Sequence, residues 1–251
     1  MNFFDELRIG YLIAISKFKM RNEGSFLGIL WYLLDPLLLF SILLLVRAQI
    51  SSDNDFYFYA TYLLIGILNL HFLRRSISTS LQVMRNHKGL IKNTNLSRFS
   101  LFMSNILFSI IIHVFEFLVL LIFLFGFGFL NSTIIIYLLV LLSFCITIIG
   151  IGFYAAIIGT FIKDSDNIWN PIALLLLFVT PIFYYLEPGS LLYYVNIINP
   201  LYHYLEVFRG AIFGTIVIST SFWVVLILPL FLIYTGFILF KKYQLRLAEI
   251  L

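Results

Sequence analysis

Charged side chains set inside apolar blocks are the residues of this chain best placed to do chemistry. Asp35 lies roughly nine residues into such a block, about 13 Å deep at 1.5 Å per residue, and directly precedes Pro36. Glu116 stands within another. A charge at that depth is costly against lipid, so it should face protein, water or a partner. For Asp35 two readings stand side by side: a polar point on a passage, or a carboxyl serving backbone groups freed at the Pro36 kink. Glu116 reads as a helix–helix contact. Glu206 and Arg209, three apart, can pair across one helical turn and so lie shallowly in the membrane interface. The histidines (His71, His87, His113, His203) show no metal-ligand pair at i, i+4. No Gly-rich phosphate loop with its Lys and Ser/Thr occurs. Cys145 is the single cysteine, which excludes an internal disulfide. The chain therefore reads as no enzyme and as needing no cofactor or metal of its own. Energy for any active process would come from a partner or an ion gradient.

The elements that must position these residues follow from composition. Of 251 residues, 62% are hydrophobic and 11% charged, with a mean hydropathy of +1.04. A soluble domain carries roughly 25% charged residues to wet its surface, so the solvent here is largely lipid. Lipid admits only helices or closed barrels, and long unbroken apolar blocks argue for helices. Six blocks are near the roughly 20 residues a bilayer needs: about 26–47, 57–75, 100–125, 133–161, 167–186 and 216–240. Residues 3–22 predict an amphipathic interface helix, with Phe4, Leu7, Tyr11, Ala14, Ile15 and Phe18 opposed to Asp5, Arg8, Lys17, Lys19 and Arg21. Residues 187–215, broken by Pro188, Gly189, Pro200, Gly210 and Gly214, predict an outer re-entrant segment between the fifth and sixth spans. The expected fold is one all-α membrane domain, 1–251.

With the N-terminus inside, fourteen of the sixteen Lys and Arg fall in cytoplasmic segments; Arg47 and Arg209 are the exceptions. The positive-inside rule then puts both termini in the cytoplasm. It also accounts for the net charge of +4 without nucleic acid. Residues 76–98 form the largest cytoplasmic segment, where Leu90 and Ile91 sit between Lys88 and Lys92. A short helix there could seat in a groove on a soluble partner, or be a solvated basic loop.

Four stretches resemble the ABC-2 type permeases that export polysaccharides: O-antigen, capsule and teichoic-acid exporters. They are RNEGSFLGILWYLLDPLL (21–38), NHKGLIKNTNLSR (86–98), FIKDSDNI (161–168), and TPIFYYLEP (180–188) with INPLYHYLEVFRG (198–210). Asp35 stands where the family more often has an uncharged residue, Lys163 where it has Arg, and Ser97 where proline is common. The resemblance implies a bacterial inner-membrane homodimer bound to two separate ATP-binding cassette subunits, which hold ATP and Mg. It implies a lipid-linked glycan as substrate, in contact with membrane lipid. It further implies ATPase coupling through Arg85, Lys88, Leu90, Ile91 and Lys92. The export path would be lined from spans one and five by Trp31, Tyr32, Asp35, Phe178, Phe183 and Tyr184. Flat rings stack on the C–H faces of sugars while a few polar groups meet hydroxyls. Trp31, Asp35 and Leu38 share one stripe of the first span. An ABC-2 permease for a drug or lipid is the alternative. A secondary transporter is remote, since neither inverted repeats nor matched broken helices occur.

Overall fold

A chain this apolar satisfies its backbone groups within helices, and the computed structural model, which describes residues 2–23, 28, 30–50, 55–93 and 96–244, contains ten of them and no strand among those residues. They are α1 (Phe3–Asn22), α2 (Leu30–Ile50), α3 (Phe56–Asn86), α4 (Lys88–Asn93), α5 (Arg98–Gly126), α6 (Ile134–Phe161), α7 (Ser165–Val179), α8 (Leu191–Ile198), α9 (Pro200–Phe213) and α10 (Thr220–Tyr243). Five of them, α2, α3, α5, α6 and α10, are long and apolar enough to cross a membrane. The chain is a multi-pass membrane protein.

α3 is the hub. Its most apolar stretch is 78% buried, against 6% for that of α2, which packs thinly on α3 and α5. Around α3 stand α5, α6, α7 and α9, and α10 packs closely on α6. Helices in lipid approach through small residues, and here they do so closely. A Cβ on Gly159 of α6 would fall 1.8 Å from the Leu81 carbonyl oxygen of α3, and one on Gly150 would fall 2.7 Å from Leu232 of α10.

The structure corrects four expectations from the sequence. The fifth apolar block was expected to span as 167–186, but α7 stops at Val179 after 15 residues. Pro181 has no N–H to continue the helix and biases Thr180 to extended backbone, where Thr180 has ψ 138°. The second block was expected to end near 75, but α3 continues to Asn86, because its polar end packs against α5 and α6. Arg74 and Arg75, counted from sequence among the basic residues of the cytoplasmic side at the end of the second span, therefore lie well inside a helix. α1 does not separate a greasy from a wet face. Phe3, Phe4, Tyr11, Leu12 and Met20 are exposed beside Asp5, Arg8, Lys19 and Arg21, while Gly10 and Ala14 press on α5. Its length follows α5 in the same direction, from Phe3 against Phe99 to Phe18 stacked on Phe115. The fourth correction concerns Glu206 and Arg209.

These two residues do not pair. Glu206 accepts from the Ser221 hydroxyl at the start of α10. The buried Arg209 donates to the carbonyls of Pro181 (2.8 Å), Tyr62 (3.2 Å) and Ile182 (3.4 Å), and lies 3.3 Å from the Tyr62 ring centroid. Tyr62 Oη donates to the Pro181 and Tyr184 carbonyls, and Tyr59 Oη to that of Phe183. The irregular backbone after α7 thus has its carbonyls served by side chains, which a chain in lipid requires. Asn199 caps α9 through Leu201 N, with Pro200 at its first turn and Gly214 at φ +70° closing it.

Candidate functional site

A cavity of about 400 Å³ opens where the first turns of α2 meet α3 and α7. α2 contributes Trp31, Tyr32 and Asp35; α3 contributes His71, Arg74, Arg75, Ser78 and Thr79; Asn170 comes from α7 and Arg21 from α1. Trp31 is 60% exposed and the Asp35 side chain 77%, so neither is occupied by packing within the chain. The Arg21 guanidinium lies 4.8 Å from the Tyr32 ring centroid, within cation–π range. Leu38, next on the Trp31–Asp35 stripe, is exposed as well.

Behind the cavity a polar network runs into the bundle. The Asp35 carboxylate accepts from His71 Nε2 at 2.9 Å, so His71 rather than the Pro36 kink is its partner. The other His71 nitrogen stands 3.7 Å from Glu116 Oε1. Glu116 is fully buried on α5 and takes a two-pronged bond from Arg75, Nη1 to Oε1 at 2.7 Å and Nη2 to Oε2 at 3.1 Å. His113 Nδ1 meets Oε2 at 2.7 Å, and its ring stacks on Phe72. Arg75 and Glu116 therefore neutralise each other where lipid would tolerate neither. Glu116 is the helix–helix contact the sequence suggests, with Arg75 as a partner the sequence reading missed. The signal was available. His71 and Arg75 are four apart, and His113 and Glu116 three apart, so each pair shares a helix face.

The expected path residues fall into two groups. Trp31, Tyr32 and Asp35 line the cavity. Phe178, Phe183 and Tyr184 cluster at the far end of α7, eight residues and about 12 Å along the chain from Asn170. There Phe178 and Phe183 meet edge to face at 5.9 Å, and Phe183 meets Tyr184 at 5.3 Å. Tyr184 Oη donates to the Val179 carbonyl at the α7 terminus. No group of three or more His, Cys, Asp or Glu suited to a metal occurs among the described residues.

Comparison with protein families matches residues 13–213 to the ABC-2 type transporters, which covers most of the chain and every residue of the cavity. The chain belongs to this family. No curated protein matches it. It is accordingly the membrane permease subunit of an ABC transporter, and the ATP site belongs to a separate subunit.

In this permease the end of α3 and the short α4 form the region where the sequence places coupling. Arg85 donates to the Lys163 carbonyl and to the Asp166 carboxylate, so it ties α3 to the turn between α6 and α7. Lys88 and Leu90 are exposed on α4, while Ile91 is half-buried and packs toward the core. Leu90 and Ile91 thus point to different sides. The side chain of Lys92 lies outside the described residues, as do positions 24–27 and 29 of the first signature, and Arg246.

Proposed function

We propose that this permease exports a polysaccharide, or its lipid-linked form, across a bacterial inner membrane as a homodimer driven by two ATP-binding subunits. The observation that carries the reading is the cavity itself. Two aromatic rings flank an exposed carboxylate, three arginines and an amide, which matches a ligand with C–H faces, many hydroxyls and anionic groups. An apolar drug would strip water from the exposed Arg74 and Asn170 and from the open face of Asp35 without replacing those hydrogen bonds, at a cost of about 1–3 kcal/mol each. α2, whose most apolar stretch is 6% buried, and α7, where Ser165, Ala173 and Leu177 are buried, border the cavity, so a second copy on that face would close the opening into a path continuing toward Phe178, Phe183 and Tyr184. In this reading α7 and the stapled backbone after it complete a sixth crossing, α8 and α9 form the outer re-entrant segment, α1 sits at the inner interface, and both termini are cytoplasmic. α4 is the coupling helix, with Lys88 and Leu90 outward and Arg85 bracing it from behind.

Export by the reconstituted complex tests the path. Asp35→Asn should keep most export, because the amide oxygen still accepts from His71 and from sugar hydroxyls. Asp35→Leu should impair it while assembly and basal ATPase activity survive. Trp31→Ala should cost roughly tenfold in export, taking ring stacking at about 1–3 kcal/mol. Wild-type export by a folded Asp35→Leu protein would falsify the path.

A further inference from the structure

A second polar cavity, about 460 Å³ in volume, lies beyond Arg21 and Thr79, in the cleft that α1 and α3 leave between them where both pack on α5. Its walls carry Lys17 and Arg21 from α1, Gln82 and His87 from the end of α3, and Asn105 from α5. No carboxylate lines it among the described residues. The half-buried Lys17 ammonium donates to Ser104 Oγ and Asn105 Oδ1, both neutral acceptors. Burial pulls its pKa down to about 8. His87 is lowered too, chiefly by burial and further by the Lys17 charge, against the bond from its Nδ1 to the Val83 carbonyl. Lys17 and Arg21 therefore bring two cations to one cleft, with no carboxylate among its described lining residues.

Its position along α3 points to one class of anion. α3 has 31 residues, roughly 46 Å at 1.5 Å per residue, whereas the hydrocarbon layer is about 30 Å thick. An upright α3 would leave about ten residues outside the hydrocarbon, and its polar end is SISTSLQVMRN, 76–86. The cleft flanks this end, from Thr79 to His87, which would stand at headgroup level with the apolar part of α3 crossing the hydrocarbon. Met20 and Phe108 add apolar wall beside the cations. Basic side chains on a membrane face meet lipid phosphates there.

We propose that this cleft binds the phosphate of an acidic membrane phospholipid, with Lys17 as the principal cation and Met20 and Phe108 beside the first methylenes of the lipid. The site is independent of what the permease exports.

The test uses the purified whole complex, permease with its ATP-binding subunits, titrated in neutral detergent with fluorescent phosphatidylglycerol. Binding should saturate and should resist displacement by phosphatidylcholine and by inorganic phosphate. Gln82→Glu sets a negative charge on the cleft wall without disturbing the Lys17 bonds, and should weaken binding at least about fivefold, the weight of one charge near an anionic surface. Lys19→Gln removes an exposed charge of α1 outside the cleft and should leave binding unchanged. Lys17→Gln should match the Gln82→Glu loss, and Lys17→Arg should restore most of it. Unaltered binding in Gln82→Glu overturns the proposal, as does equal weakening by Lys19→Gln, which would mark general surface charge. Equal displacement by inorganic phosphate overturns the lipid assignment in favour of a free anion.

Discussion

Arg75 and Glu116 show how a single buried pair decides what a span can carry. Each would be intolerable alone in an apolar bundle, and together they expose almost no charge. Removing one partner leaves the other buried and unpaired, which costs about 3–5 kcal/mol. Glu116→Leu should therefore lower thermal stability in detergent sharply. The double variant Glu116→Leu with Arg75→Met should recover much of the loss, and a purely additive result would show that the pair is not coupled. Arg209 is a different case, because its partners are carbonyls and no carboxylate is removed with it. Arg209→Met should cost at least about 2 kcal/mol, since bonds from a charged donor are worth roughly 1.5–3 kcal/mol. Glu206→Gln should leave Arg209 unaffected, whereas a salt-bridge partner would not. Comparing the melting curves of these two variants decides between the two arrangements.

Among elements, the α3–α6 contact is the most sharply specified. Gly159 lets the two backbones touch at Leu81, and no side-chain rotation could relieve a Cβ placed there. Gly159→Ala should destabilise the bundle by about 1–3 kcal/mol through forced separation of the helices, while Gly89→Ala on α4, which meets nothing within 4 Å, serves as the control. Unfolding midpoints of the purified protein read both. Among the described residues of α4, Ile91 faces inward and Leu90 is exposed. Leu90→Asp should loosen the complex with the ATP-binding subunits by several kcal/mol if Leu90 is an interface anchor, without lowering the thermal stability of the permease alone. Full-strength co-purification from that variant would remove the coupling role.

At the scale of the whole molecule, orientation rests on the distribution of basic residues. In a Cys145→Ser background, Lys88→Cys should resist a membrane-impermeant thiol reagent added from outside, and Tyr194→Cys, exposed on α8, should react. The opposite pattern would invert the molecule and move the phospholipid cleft to the outer leaflet. The sparse cover of α2 matters at this scale as well. The polar cavity is lined by residues of α1, α2, α3 and α7 of one chain, so its final shape depends on what lies against α2 and α7.

Helical class, membrane residence and five of the long crossings were legible in the residues, because hydrocarbon thickness and backbone satisfaction leave few alternatives to runs such as 134–161. Family membership was legible too, since the signature stretches depend on local order along the chain. The premature end of α7 was half legible. Pro181 stands in plain view, yet the bonds that make its irregular backbone tolerable come from Tyr59, Tyr62 and Arg209, far away in sequence. Asp35 and Glu116 were recognisable as costly, but composition could not say what relieves them. His71 and Arg75 do so only once α2, α3 and α5 are packed together, and Arg75 had looked like one more positive charge of the cytoplasmic side. The pairing of charges depends on which helix faces meet. Close approaches such as that at Gly152 of α6, where a Cβ would lie 3.1 Å from Ser80 of α3 and 3.1 Å from Ile106 of α5, help set how α3 and α5 meet, a property of the assembled bundle and of no single stretch of sequence.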